Sequence, residues 1–351
     1  MEYEAKHQQA KLLLLLLIFL VMVVLGTALG AVKIPPSTVI NVLLQHLPGI
    51  GNKLLGAAGA DTYETIIWEL RFPRVLLAGL VGMCLALSGA AYQGLFKNPM
   101  ADPHIIGVSQ GASLGAGISI VLGTQVNWLG LGTLPIFAFI GAMGTVGIVY
   151  FLARVERRVP VMTLLLAGIA VGTLLSALVS LLIFFSGQQL HSIIYWLMGG
   201  FSGRSWDYVI MVLPYTLLGA GIILALAREL NLLLLGEETA QHLGVKIETV
   251  KMLLLAAASL LTAVAVSASG IIGFVGLIIP HAVRILVGPD HRILLPAAAL
   301  AGAAFLMAAD ILARILLNPA ELPVGIITAL FGAPFFIYLL RRSRKAGYYL
   351  D

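Results

Sequence analysis

The sequence predicts an all-α, polytopic membrane protein with about ten transmembrane helices. Three observations carry that prediction. First, 60% of the 351 residues are hydrophobic and 11% are charged, whereas a soluble domain carries about 25% charged residues. Mean hydropathy is accordingly +1.02. Second, apolar runs of roughly 20 residues, enough to cross a ~30 Å hydrocarbon core, recur along nearly the whole chain. Third, the basic residues between those runs are distributed asymmetrically. A single transmembrane domain therefore accounts for residues 1–351, with one charged segment, 228–251, held outside the lipid.

Met1–Lys11 is polar and basic, and Leu12–Val32 is the first span. A signal peptide shares these features, but the run is long for one and Gly26–Ala31 offers a weak cleavage pattern. Lys33–Phe72 reads as the longest stretch outside the membrane, broken by Pro35-Pro36 and Pro48-Gly49. Val75–Leu95 is the second span. The turn Phe96–Pro103 follows, and its two prolines bar a continuous helix. Ile105–Leu122 is the third span, with Gly107, Gly111 and Gly115 at a spacing of four. Such a face lets a neighbouring backbone approach closely. No Gly-Lys-Ser/Thr follows it, so it is not a phosphate loop.

Trp128–Ala153 and Val161–Phe185 are the fourth and fifth spans. The segment Ser186–Asp207 is moderately polar and places Tyr195, Trp196 and Trp206 as interfacial aromatics. Tyr208–Ala227 is the sixth span. Met252–Val287 is 36 residues long, which as one helix would run to about 54 Å. Two short spans turning near Ser267–Gly270 fit better, because the basic segments on either side then share one face of the membrane. Ile293–Leu317 and Val324–Leu340 complete ten.

Ten crossings with both termini cytoplasmic put Lys33, Lys53, Arg71, Arg74, Arg204 and Arg314 outside and the other fifteen of the 21 basic residues inside. That asymmetry follows the positive-inside rule. The formal charge of +5 lies in scattered loops, with no basic stripe that would track nucleic-acid phosphates. Cys84 is the sole cysteine, which excludes disulfides within the chain and cysteine-based zinc sites.

Within the charged segment, Gly236, Glu237, Glu238, Thr239, Ala240, Gln241, His242, Leu243 and Gly244 read as a short helix. Glutamates crowd its first turn, where the helix dipole favours anions, and Gly244 sits where a helix stops. The segment is either a solvated loop between spans or a helix offered to a partner. Enzymatic chemistry is missing: no Walker lysine, His-Glu-x-x-His or nucleophile elbow occurs. His104, His191 and His281 are scattered and read as structural histidines rather than metal or haem ligands. Of the carboxylates, only Asp310 lies well inside an apolar span, with Arg314 on the same helical face four residues on. An ion-coupled secondary transporter would need several such groups as relays, and a membrane enzyme would need clustered acid, nucleophile or metal residues. The chain has the build of a pathway driven by an external motor.

Four stretches resemble one family. They are Arg71-Phe72-Pro73-Arg74, Gln93–Pro103 with Gly107-Val108-Ser109, the Gly236–Gly244 segment, and Gly273–His281 with Arg284 and Asp290-His291-Arg292. Ala309-Asp310 with Arg314, Glu321–Gly325 and Gly332-Ala333-Pro334 extend the match over about Arg71–Arg342. The family comprises the FecCD-like permease subunits of bacterial ABC importers for iron–siderophore, haem and cobalamin. The resemblance implies a type II importer permease fold in the cytoplasmic membrane, in which the permease is non-catalytic and binds no cofactor or metal. Its implied partners are a second permease copy, two ATP-binding subunits that use ATP and Mg, and an extracytoplasmic substrate-binding protein. By position, Arg71 and Arg314 match arginines that dock the binding protein. Gly236, Glu237, Glu238, Ala240, Leu243 and Gly244 match the helix seated in the ATPase. Val161, Met162 and Thr163 fall at the cytoplasmic gate, where the cobalamin members carry small hydroxyl residues. The expected cargo is a metal chelate, an iron(III)–siderophore first and haem or a corrinoid next.

Overall fold

Helices α1 (Glu2–Ala28) and α2 (Pro36–Gln45) open the chain. The computed structural model describes residues 2–30, 32–46, 61–123, 132–156 and 158–345. The expected break at Pro48-Gly49, together with Lys53, Trp128 and Arg157, lies outside them. Helix α3 (Asp61–Thr65) runs through a π turn, Ile66–Arg71, into α4 (Phe72–Leu95). Then follow α5 (Val108–Leu122), α6 (Thr133–Ala153), α7 (Val161–Phe185) and the short α8 (Leu190–Leu197). Helices α9 (Trp206–Ala225), α10 (Ala227–Leu234) and α11 (Glu237–His242) lead to α12 (Ile247–Ser269). Helices α13 (Val275–Val287), α14 (His291–Ile315) and α15 (Val324–Lys345) complete the described chain. Among the described residues there is no β-strand, only an isolated bridge between Val155 and Arg158.

Among the described residues seven helices are long and apolar enough to cross a membrane, and three shorter apolar ones, Val108–Leu122, Val275–Val287 and Val324–Tyr338, accompany them. Ten apolar helices were the sequence expectation. Helix α4 is the axis of the bundle and packs against α9, α12, α13 and α14. In its most apolar stretch 83% of residues are buried, against 17% for α7, which presents its face outward. Lipid tails are as apolar as leucine, so close backbone approach rather than the hydrophobic effect must hold such helices together. A Cβ on Gly82 would fall on the Gly302 carbonyl of α14, and one on Gly89 on the Gly276 carbonyl of α13. Gly111 and Gly115 of α5 lie likewise against the carbonyls of Gly141 and Phe137 on α6. The glycine face read from the sequence is therefore a packing face. Gly107 departs from it: at φ +82° it is the left-handed cap that precedes α5.

Several boundaries move for physical reasons. The stretch Lys33–Phe72 is not a plain loop. Val39 and Val42 of α2 are buried with Ile34, Ala28 and Ile67, forming a small cap over the end of α1. The second span begins upstream of Val75 because the π turn absorbs Pro73, whose missing N–H would interrupt an α-helix. There the Phe72 N–H bonds five residues back, to Ile67. The third span is preceded by a 3-10 turn, Pro103–Ile106. The pair expected over Met252–Val287 does break at Gly270, but unequally: the first helix starts earlier, at Ile247, and has 23 residues, and the second has 13. Residues between them form no regular element, and Phe274 enters α13 at φ +70°. Trp196 is not interfacial: it is 7% exposed and packs with Val108, Ala112 and Ala263. Trp206 is half-buried, and its Nε1 donates to the Trp68 carbonyl.

Candidate coupling and docking sites

The charged segment is built on the core. Leu230 and Leu233 of α10 are buried, and α10 packs on α4 and α14. Gly236, at φ +116°, then reverses the chain in a conformation open only to glycine, and α11 begins. Ala240 is the one fully buried residue of α11, and its carbonyl accepts from the Val245 N–H at 3.0 Å. Lys251 of α12 pins the first turn, with Nζ 2.7 Å from Glu237 Oε1 and 3.8 Å from Glu248 Oε1. Glu238, Gln241, His242, Leu243 and Gly244 remain exposed. Leu243, 56% exposed, stands beside charged neighbours, and a concavity of about 670 Å³ runs from Arg158 past Glu238 and Gln241 to Lys246. A mixed apolar and charged knob next to a hollow suits a protein contact.

Asn231 of α10 fastens this segment to the start of α14. Its Nδ2 donates to Asp290 Oδ1 at 2.6 Å, and its Oδ1 accepts from the His291 N–H at 2.9 Å, with His291 Nδ1 at 2.8 Å. Asp290 caps α14 by accepting from the Arg292 N–H. Burial pushes the Asp290 carboxyl up, but the bonds from Arg292 and Asn231 outweigh it and hold the group below the usual aspartate range. Val161, Met162 and Thr163 open α7 at the same end of the bundle. Val161 lines a cavity of about 350 Å³ with Leu95, Phe96, Arg154, Glu248 and Lys251, while Met162 is 69% exposed.

The opposite end holds Arg71, Arg74, Asp310, Arg314 and Glu321. Asp310 is buried and takes Arg74 at 2.9 Å through Oδ1, while Arg314 Nε lies 3.0 Å from Oδ2, off the line a hydrogen bond needs. Arg74 reaches on to both oxygens of Glu321, at 2.9 and 3.0 Å, and Ser202 Oγ also donates to Glu321. Burial raises the Glu321 carboxyl, and the Arg74 bonds and charge more than reverse that, leaving it below the usual glutamate range. Arg314 donates to the carbonyls of Leu29 and Gly26, and Arg71 to those of Thr27, Ala28 and Val32. Both arginines thus satisfy carbonyls of the last turn of α1, which have no helical partner, and of the residues just after it.

The pairing of Asp310 with Arg314 was expected; Arg74 as their third member was not. Its partners lie 236 and 247 residues away, so nothing local in the sequence signals them. Arg314, matched by position to a docking arginine, keeps its side chain 6% exposed. Arg71 is half-buried. His104 bonds Ser109 Oγ and the Ile272 carbonyl, which makes it a bridge between the two helix breaks. No group of three or more His, Cys, Asp or Glu residues able to hold a metal occurs among the described residues. The two hallmark stretches meet: Gln93 Nε2 donates to the Leu277 carbonyl, Arg284 donates to Gln93 Oε1, and Gly276 leaves room for Pro103.

Comparison with known proteins identifies the family and the fold. The family model described as the FecCD transport family matches residues 15–342. The chain is 52% identical over 281 residues to the cobalamin import system permease protein BtuC of Halobacterium salinarum, covering 80% of this chain and 74% of that one. It is 41% identical over 337 residues to the hemin transport system permease protein HmuU of Yersinia pestis, covering 94% and 95%. A solved chain described as a metal-chelate type ABC transporter in an inward-facing conformation superposes with a TM-score of 0.79 at 36% identity, covering 94% of this chain and 98% of that chain.

Proposed function

This chain belongs to the FecCD transport family, as an ABC importer permease that is itself non-catalytic, and from that premise we propose how its surfaces divide the work of import. ATP hydrolysis is the task of partner subunits. Gly236, Glu237, Glu238, Ala240, Leu243 and Gly244 form the contact with an ATP-binding subunit. The observation that carries this reading is the combination at α11: one face fixed to the core by Ala240 and Lys251, the other exposed. Helix α7, with Leu166, Leu174 and Phe184 all more than half exposed, lines the contact with a second copy, and the cargo passes between the two. Val161, Met162 and Thr163 form the gate at the cytoplasmic end, with both termini on that side of the bacterial cytoplasmic membrane. Residues 1–351 act as one domain.

At the outer end, Arg71 offers its exposed part to the substrate-binding protein, and Arg314 supports that surface from behind by holding the end of α1. The cargo is a bulky metal chelate. The names of the relatives weigh haem and cobalamin ahead of an iron(III)–siderophore. ATP binding in the partner moves the coupling segments and shifts the permease between inward- and outward-facing states. The test is uptake into proteoliposomes that hold the permease with its ATPase and binding protein, offered cobalamin, haem and a ferric siderophore in turn. ATP-dependent uptake of one chelate is expected. Uptake that persists without the ATPase and follows an ion gradient would overturn the reading in favour of a secondary transporter.

A further inference from the structure

The coupling segment touches the bundle at few polar points, and one of them joins it to a helix that reaches the other end. Asn231 uses both ends of its amide: Nδ2 holds Asp290 Oδ1 at 2.6 Å, and Oδ1 receives the His291 N–H and faces His291 Nδ1. His291 is 1% exposed and is the first residue of α14. Beside it, Gly94 in the last turn of α4 leaves room for Leu230 of α10 and His291 Nε2, at 2.8 and 3.0 Å from where a Cβ would sit. Three elements therefore converge within one side chain's width.

From there α4 and α14 run together across the bundle. They meet backbone to backbone at Gly82 and Gly302. At the far end Arg74 of α4 and Asp310 of α14 form a buried ion pair. Asp310 lies nineteen residues beyond His291 in the sequence, or about 28 Å along a helix. A pair of helices tied at both ends and in the middle moves as one body more readily than it bends.

We infer that Asn231 is a positioning residue for coupling, fastening the α10–α11 segment to α14 so that displacement of α11 reaches the Arg74–Asp310–Arg314 cluster as a movement of the α4–α14 pair. The inference rests on the proposal that α11 meets the ATPase, and the experiment separates the two. Asn231 itself is half-buried on α10, outside the Gly236–Gly244 contact. Its loss leaves ATPase association intact and lowers the substrate imported per ATP hydrolysed.

The variant is Asn231→Asp, which sets a second carboxylate against Asp290, measured in the full complex in proteoliposomes. Expected is unchanged co-purification of the ATPase subunit, retained hydrolysis, and a fall of about tenfold in cargo imported per ATP. The second variant adds Asp290→Asn, which removes the facing charge and again sets one carboxylate against one amide, while the residue-290 amide oxygen can still cap α14 at the Arg292 N–H. Rescue of the import-to-hydrolysis ratio in the double variant is expected, since contacting residues couple non-additively. A single variant with a normal ratio overturns the inference, as does a double variant that stays uncoupled although it is made and assembled. Loss of ATPase association in Asn231→Asp also overturns it, because Asn231 would then belong to the contact surface. If Glu237→Lys keeps full association and uptake, it is the coupling role of α11 that fails, and that result does not involve Asn231.

Discussion

The two ends of the bundle both gather charge, yet they use it in opposite ways. At the Arg74–Asp310 end the partners are spent on one another: side-chain exposure is 11% for Arg74, 1% for Asp310 and 6% for Arg314. At the α11 end, Glu237 is 48% exposed although it touches Lys251. A charge withdrawn from water must be paired, and a paired, buried charge holds helices together rather than recruiting another protein. An exposed pair contributes little to stability and stays available to a partner. The same residue types thus fasten the bundle at one end and offer it at the other.

That contrast breaks first if the buried cluster is not structural. Asp310→Ala leaves Arg74 and Arg314 without their shared counter-charge, and removing one partner from a buried pair costs about 3–5 kcal/mol. Thermal unfolding of the detergent-solubilised protein reads the loss; a variant as stable as the parent sinks the assignment. Next comes the packing face at α5. Gly111→Leu drives a side chain into the Gly141 carbonyl, and overpacking of this kind costs about 1–3 kcal/mol or more. Yield and stability of the purified protein should fall. If yield is normal and only cargo binding is lost, the glycines line a pathway instead.

Glu237→Lys should cost little yield or stability, because Glu237 is itself 48% exposed and Ala240 still seats α11 on the core. Weaker association of the ATPase subunit by about tenfold, equivalent to ~1.4 kcal/mol, is expected in a pull-down across a salt series. The smallest effect is a pH dependence at Glu321. Its folded carboxyl is held below its ordinary value of 4.5, so its contribution is fully present above that value. It is lost as pH falls through the lowered folded value. Comparing the acid limb of the stability curve with that of Glu321→Gln isolates the contribution. Identical limbs would mean that Arg74 gains nothing from Glu321.

Much of this was legible along the chain. Apolar length gave ten helices, Gly236 and Gly244 bounded α11, and Gly270 marked the break in Met252–Val287. The Asp310–Arg314 pair followed from a spacing of four. The π turn before Pro73 was not legible, because local pattern does not distinguish a helix that ends at a proline from one that widens to admit it. Nor was the burial of Trp196, since an aromatic near a polar stretch reads as interfacial until its neighbours are known. The family match rested on motifs spread from Arg71 to Arg342, whose residues prove to touch one another, as Gln93 does Leu277 and Arg284.

The sequence by itself determined that this is a helical membrane protein, how many apolar helices it has, and which short charged helix stands apart from them. Those properties depend on residues that are near neighbours in the chain and on the cost of polar backbone in lipid. The tertiary structure alone decided which charges are spent and which are free. Arg74 meets Asp310 across 236 positions of sequence, and Asn231 meets Asp290 across 59. The fate of an arginine depends on whether a carboxylate or a free helix carbonyl lies within about 3 Å of it once the helices have packed, and no local pattern encodes that distance.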